Sequence, residues 1–238
     1  MINQLRIEGY KMRRFMPFYC CIAGLALMAI YYFICGLPNK MVPYYSSMHD
    51  GFGDAVQDCS FAFLLGMLIS WYVGSDLTNR TIHRSLVTGC NRWMIIITRI
   101  LATSILTSLF HISFIVTQCI GFGKTYGCSF EGFDSRDLLW LGVVLLQLVA
   151  YNVLFVLISI ICGNVYSALF VCVSAATIGG NILRNVFHGN YIYEHSFFCF
   201  AKSSANTDLV PCAVCAIVAI VILTVGSIIF FNKKDLSN

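Results

Sequence analysis

Three consecutive stretches carry the reading of this chain: FAFLLGMLISWYVG (61–74), SDLTNRTIHRSLVTGCNR (75–92) and WMIIITRILATSILTSLF (93–110). The outer two are apolar runs of the kind that fills a bilayer, and the middle one is polar and basic. A helix crossing the ~30 Å hydrocarbon layer needs about 20 mostly apolar residues. The flanking runs meet that need as spans over 57–75 and 94–120. The insert between them is then an amphipathic segment held by two spans on one face of a membrane. It is a handle: a push on it from outside the bilayer moves both spans.

Four more apolar runs lie outward from this core, at 16–36, 138–161, 164–183 and 209–231, which makes six. A mean hydropathy of +0.79, with 58% hydrophobic and 11% charged residues among 238, excludes an ordinary soluble domain. The runs are too long for strands and lack the alternation of a membrane β-barrel. The expected fold is an all-α integral membrane protein of six transmembrane helices, a single domain over 1–238. Its connections are short, with an aromatic outer segment, NVFHGNYIYEHSFFCF, inside 184–208 that is expected to dip back into the membrane interface.

Orientation follows from Lys and Arg beside the spans. With both termini cytoplasmic, the inside segments hold Arg6, Lys11, Arg13, Arg14, Arg80, Arg84, Arg92, Arg99, Lys233 and Lys234, and the outside ones only Lys40, Lys124, Arg136, Arg184 and Lys202. Acidic residues do the reverse: Glu8, Asp76 and Asp235 are inside, the other eight outside. An N-in, C-in topology with an even span count satisfies both trends. The formal charge of +4 therefore reports topology, and no soluble basic face exists for nucleic acid. Residues 1–15 mix Leu5, Ile7, Tyr10 and Met12 with Arg6, Lys11, Arg13 and Arg14. They read as an interfacial amphipathic helix that turns into the first span near Pro17, and not as a cleaved signal.

Motifs for covalent chemistry fail on inspection. Gly123-Lys124-Thr125 imitates the end of a P-loop, but Gln118 stands where its first Gly belongs and no strand precedes it. Cys212 and Cys215 have redox spacing inside an apolar span with no second ligand pair, so no metal site is expected. Asn79-Arg80-Thr81 is a glycosylation sequon on the cytoplasmic side. No zinc-protease or nucleophile-elbow pattern occurs, so no catalytic residue is expected. Most of the 12 cysteines lie in spans, as small hydrophobes. Cys59, Cys128 and Cys199 lie towards the outer face, where both a disulfide and thiols are open.

Two spans carry small residues at four-residue spacing: Ala62, Gly66, Ser70 and Gly74 in the second, and Ala168, Cys172, Ala176 and Gly180 in the fifth. That spacing stacks them on one helix face and lets another backbone approach. They are candidates for a pathway wall or a protomer interface, against generic packing within one chain. Span three has a polar stripe of Ser104, Thr107, Ser108, His111 and Gln118, and span four has Gln147, Tyr151 and Asn152. Such groups need partners or a wet cavity in hydrocarbon.

The insert resembles the signature of small permease subunits of type-2 ATP-binding-cassette exporters, bacterial antibiotic-peptide immunity and drug-efflux permeases among them. Asp76, Asn79, Thr81, Ile82, Arg84, Gly89, Asn91 and Arg92 stand at the matching positions. NQLRIEGYKMRRFMPFY (3–19) resembles the family's interfacial helix, and the six-span plan fits. Arg80 departs from the Gly common there, so the entry angle of the insert differs or gains a contact. The resemblance implies that 75–92 is a cytoplasmic coupling helix seated on a separate ATPase subunit, which binds the ATP and Mg; this chain itself binds no cofactor. Asp76, Asn79, Arg80, Thr81, His83, Arg84 and Ser85 would supply contacts, Ile82, Leu86 and Val87 anchors, and Gly163 and Asn164 a minor contact. A second permease copy, alike or related, would complete a bacterial cytoplasmic-membrane exporter.

The expected function is thus an ATP-driven, outward-moving permease subunit for an amphiphile such as a hydrophobic peptide, antibiotic or lipid-like compound. It is not an enzyme by itself. The alternative is a membrane sensor or scaffold that docks a cytoplasmic regulator through 75–92. A third reading of the same insert is a basic surface helix held by anionic membrane lipid.

Overall fold

A computed structural model describes residues 2–35, 47–58, 61–79, 81–82, 86, 89–129, 132–179, 182, 185–187, 191–201 and 208–233. Among them the chain is all-helical, with no strand. The helices are α1 (Ile2–Arg13), α2 (Met16–Cys35), α3 (Met48–Gln57), α4 (Phe61–Thr78), α5 (Arg92–Tyr126), α6 (Ser135–Cys162), α7 (Val165–Ser174), α8 (Tyr191–Glu194) and α9 (Leu209–Lys233).

Four of these, α2, α5, α6 and α9, are long and apolar enough to cross a membrane. The chain is a helical membrane protein. The other two expected spans are also helices: α4 has 18 residues, and α7 runs on into a π-helical turn, Ala175–Gly179. The bundle is graded. Some 61% of the apolar window of α6 and 56% of that of α5 are buried, against 17% for α9 and 6% for α2. Helices α5 and α6 are the core, while α2 and α9 turn residues such as Leu27, Phe33, Ile34, Val218 and Ile222 outward. In water that surface would be untenable; in lipid it costs nothing.

Helix ends identify the two poles of the bundle. At one pole Arg92 Nη1 donates to the carbonyl of Asn232 at 3.0 Å, a cation on the C-terminal end of α9. Here too Thr78 Oγ1 accepts from the Val165 amide at 3.0 Å, joining the end of α4 to the start of α7. The α6–α7 connection is a tight turn, as the close spacing of the runs 138–161 and 164–183 requires. Gly163 adopts φ +77°, which only Gly takes without strain, and Asn164 caps α7 by accepting from the Ser167 amide at 2.8 Å. The opposite pole is acidic. Asp134 and Asp137 form a capping box on α6, and His49 of α3 lies 3.1 Å from Asp137.

Helix α3 falls in a stretch that the sequence reading leaves as an outer connection. A Ser47–Asp50 capping box starts it, and Phe52, Ala55 and Val56 are buried. Phe52 packs edge-on against Phe133 and Trp140. At Gly51 the Phe122 ring sits where a Cβ would be.

Candidate functional site

The apolar runs on either side of the insert bring four charges together at its root. Arg99 belongs to WMIIITRILATS and lies about two turns inside α5. Its side chain is 1% exposed. Arg99 Nη2 donates to Asp76 Oδ2 near the end of α4 and lies 3.7 Å from Glu8 Oε1 of α1. Lys11 Nζ reaches Glu8 Oε1 at 3.3 Å and Asp76 Oδ2 at 3.1 Å. Tyr72 donates its hydroxyl proton to Glu8 Oε2 at 2.6 Å. Thr81, inside the insert, donates to Asp76 Oδ1 at 2.5 Å and to the Asp76 carbonyl at 3.1 Å.

The cluster has two carboxylates and two cations, so it is neutral as a unit. Three buried charges with a partly exposed Lys11 are tolerable only as such a set, because each buried one alone would forfeit its hydration. Nε and Nη1 of Arg99 have no hydrogen-bond partner among the described residues. The guanidinium is therefore held by its carboxylates and little else. One group of contacts ties α1, the end of α4, Thr81 of the insert and α5.

Sequence reading singles out Asp76 and Thr81 as surface contacts for a partner, and the structure turns both inward or sideways into this cluster. Asp76 is 8% exposed, because it neutralises Arg99. Ile82 is 2% exposed and Leu86 packs on the same core, so these two anchor the insert to its own chain. Asn79 and Asn164 are exposed, and Gly163 is half-buried. Arg80, His83, Arg84, Ser85 and Val87 lie outside the described residues. Glu8, Lys11, Tyr72 and Arg99 were not foreseen as a site. The signal was available: a lone Arg within an apolar run demands a carboxylate, and Glu8 and Asp76 are two of the three acids that the charge count groups with it.

The two rows of small residues meet each other within one chain. A Cβ on Gly66 would stand 3.5 Å from the Cys172 carbonyl oxygen, and one on Gly74 would stand 2.9 Å from Val165 Cα. Ser70, Ala168 and Cys172 are fully buried, and Ser70 donates to the Gly66 carbonyl at 2.6 Å. At these positions the seam is taken by the chain's own α4 and α7, which leaves no free face there for a second copy. Ala176 falls in the π-helical turn, where the four-residue spacing no longer keeps one face. Ala62 starts α4, and Gly180 lies outside the described residues.

A second polar assembly lies deeper. The Gln147 side chain donates to the carbonyls of Ser196 (3.3 Å) and Cys199 (3.1 Å) and accepts from the Ala201 amide (3.0 Å). Tyr151 donates to the Phe198 carbonyl at 3.2 Å, and Trp140 Nε1 to the Ala201 carbonyl at 2.5 Å. Gln147 is near the middle of α6, so residues 196–201 enter the bundle as far as mid-helix. Non-helical backbone survives at that depth only where protein satisfies it, as α6 does here. Asn152 instead bridges to Ser104 Oγ of α5 at 2.7 Å. His111 is fully buried, its ring 6.5 Å from that of Phe200. Cys128 carries no disulfide, and Cys59 lies outside the described residues. Among the described residues no group of His, Cys, Asp or Glu could hold a metal ion.

No family model, curated protein or solved structure matches this chain.

Proposed function

We propose that the chain is the permease subunit of an ATP-binding-cassette exporter, coupled through the insert at 75–92 to a separate ATPase and paired with a second permease copy. The observation that supports it is the buried Glu8–Lys11–Asp76–Arg99 cluster at the base of the insert. A segment that only lay on lipid would need no such foundation. A segment that receives force needs a stiff joint to the helices it moves, and this joint reaches three of them. On this reading six helices cross the bilayer with both termini on the cytoplasmic side. The basic Arg80, His83 and Arg84 are then available to an ATPase, while Asp76, Thr81, Ile82 and Leu86 are the base on which they stand.

A mainly apolar surface with few fixed charges suits an amphiphilic cargo better than a small ion. The segment 196–201, with Phe197, Phe198 and Phe200 around Tyr151, makes the middle of the bundle aromatic, a surface that suits such a cargo. The competing reading, a sensor or scaffold, uses the same insert for a regulatory protein. Expression with neighbouring genes, purification in mild detergent and identification of co-eluting proteins separates them. An ATPase that co-elutes with wild type and is lost from Arg80→Glu/Arg84→Glu supports the exporter. Well-folded wild type that brings down a regulator and no ATPase supports the sensor.

A further inference from the structure

A cavity of about 250 Å³ opens beside the charge cluster, lined by Tyr10, Lys11, Arg14, Tyr72, Asp76 and Thr81 among others. That volume approaches the lower end of small-molecule sites and is far more than one water needs. It lies where α1 gives way to α2, the level at which an interfacial helix meets lipid headgroups.

We infer that this cavity binds the phosphate of an anionic phospholipid headgroup. Charge is the first argument. Glu8 and Asp76 are balanced by Lys11 and Arg99, which leaves Arg14 in excess. Arg14 is exposed and has no carboxylate partner among the described residues. Its guanidinium lies 4.4 Å from the centre of the Tyr10 ring, which holds it at the cavity. Asp76 would repel an anion if it were bare. It is not, because Arg99, Lys11 and Thr81 all bond to it.

Hydrogen-bond capacity is the second argument. An ammonium has three donors, and Lys11 gives one to Glu8 and one to Asp76. The third, with the fork of Arg14, offers an oxyanion several charge-assisted bonds. The third argument selects a lipid over a free phosphate. Phe15, edge-on to Tyr72 at 5.2 Å, forms the cavity's apolar wall. From there α2 departs with Met16, Tyr19 and Ile22 exposed. Acyl chains continuing from a bound headgroup have that face to lie along.

This site does not depend on the exporter reading, since it needs no ATPase. The test uses the whole purified chain, delipidated and then offered phosphatidylglycerol or phosphatidylcholine, with bound lipid counted by native mass spectrometry. Wild type is expected to retain phosphatidylglycerol in preference to phosphatidylcholine. Arg14→Gln should lower its occupancy about ten-fold, the worth of a hydrogen bond between charged groups, and Arg14→Lys should recover part of it. Arg13→Gln removes the same charge from the adjacent residue, which does not line the cavity, and should lower occupancy far less than Arg14→Gln. Equal losses in the Arg13 and Arg14 variants would reduce the effect to diffuse attraction and overturn the site. So would equal retention of the two lipids, or an unchanged Arg14→Gln that elutes as folded protein. Displacement of the lipid by millimolar inorganic phosphate would assign the cavity to a free anion.

Discussion

Arg99 is worth more to this fold than its one direct carboxylate contact suggests, because two acids are buried on its account. Replacing it with Met leaves Asp76 and Glu8 facing each other with only Lys11 between them. Losing one partner of a buried charge set typically costs about 3–5 kcal/mol, so Arg99→Met should unfold at markedly lower temperature in detergent. The double variant Asp76→Asn/Arg99→Met removes one charge of each sign, leaves Glu8 paired with Lys11, and should regain most of that loss. Thermal unfolding followed by size-exclusion reads both; a double variant no better than the single one would show that charge balance is not what holds the joint. Tyr72→Phe removes only the bond to Glu8 and should cost about 1.5–3 kcal/mol, as for a hydrogen bond to a charged group. The sequence told which end of the molecule Arg99 occupies but not what it does. Flank counting treats every Arg as a topology marker, and only its depth in the α5 run distinguishes this one from Arg92. Asp76 was legible as special but not as the partner of Arg99, since sequence spacing cannot say whether an acid at a helix end faces a partner or its own core.

Among the elements, α4 and α7 depend on the absence of side chains where they touch. The would-be Cβ of Gly74 meets the backbone of Val165, which cannot swing aside as a flexible side chain would. Gly74→Ala should therefore cost about 1–3 kcal/mol from overpacking, and Gly66→Leu should splay the same seam and lower the yield of folded protein. Gly24 in α2 has nothing within 4 Å of its would-be Cβ, and Gly24→Ala should be neutral or slightly stabilising. Thermal midpoints of the three variants rank them; a harmless Gly74→Ala would mean that the helices stand further apart than they do here. The four-residue spacing made this closeness readable from sequence, whereas the identity of the neighbour was not, because a small-residue face looks the same whether its partner is the same chain or another. The inward course of residues 196–201 was legible as an aromatic segment dipping back into the membrane interface, though not its reach to mid-helix. What draws it to mid-helix depth is Gln147, a single side chain with both donor and acceptor groups. Gln147→Leu should let the Ala201 amide exchange at least about five-fold faster by hydrogen–deuterium mass spectrometry, the worth of one lost buried bond. Unchanged protection would mean that the ring packing around Tyr151 holds the segment without it.

For the molecule as a whole, the open question of span number has a physical answer that can be tested. By length and hydropathy alone four helices qualify, and α4 at 18 residues is about 27 Å long, slightly short of the hydrocarbon thickness. If only α2, α5, α6 and α9 crossed, the chain would pass once between α1 and the insert, placing them on opposite sides of the membrane. The contacts forbid that separation: Glu8 and Lys11 of α1 touch Tyr72 and Asp76 of α4, and Thr81 completes the same cluster. Residues bonded within 3.3 Å lie at one level, so α1 and the insert are expected on one side, with two crossings, α2 and α4, between them. The same reasoning puts the end of α9 there through Arg92 and Asn232, and the α6–α7 turn through Thr78 and Val165. Six passes with both ends on one side are then expected. Reporter fusions after Asn79, Gly127, Gly163 and Lys233 read this directly. A reporter that works only in the cytoplasm should be active at Asn79, Gly163 and Lys233 and silent at Gly127. Four passes would make it active at Gly127 and silent at Asn79, and that pattern would separate α1 from the insert and dissolve the charge cluster on which the proposed coupling stands.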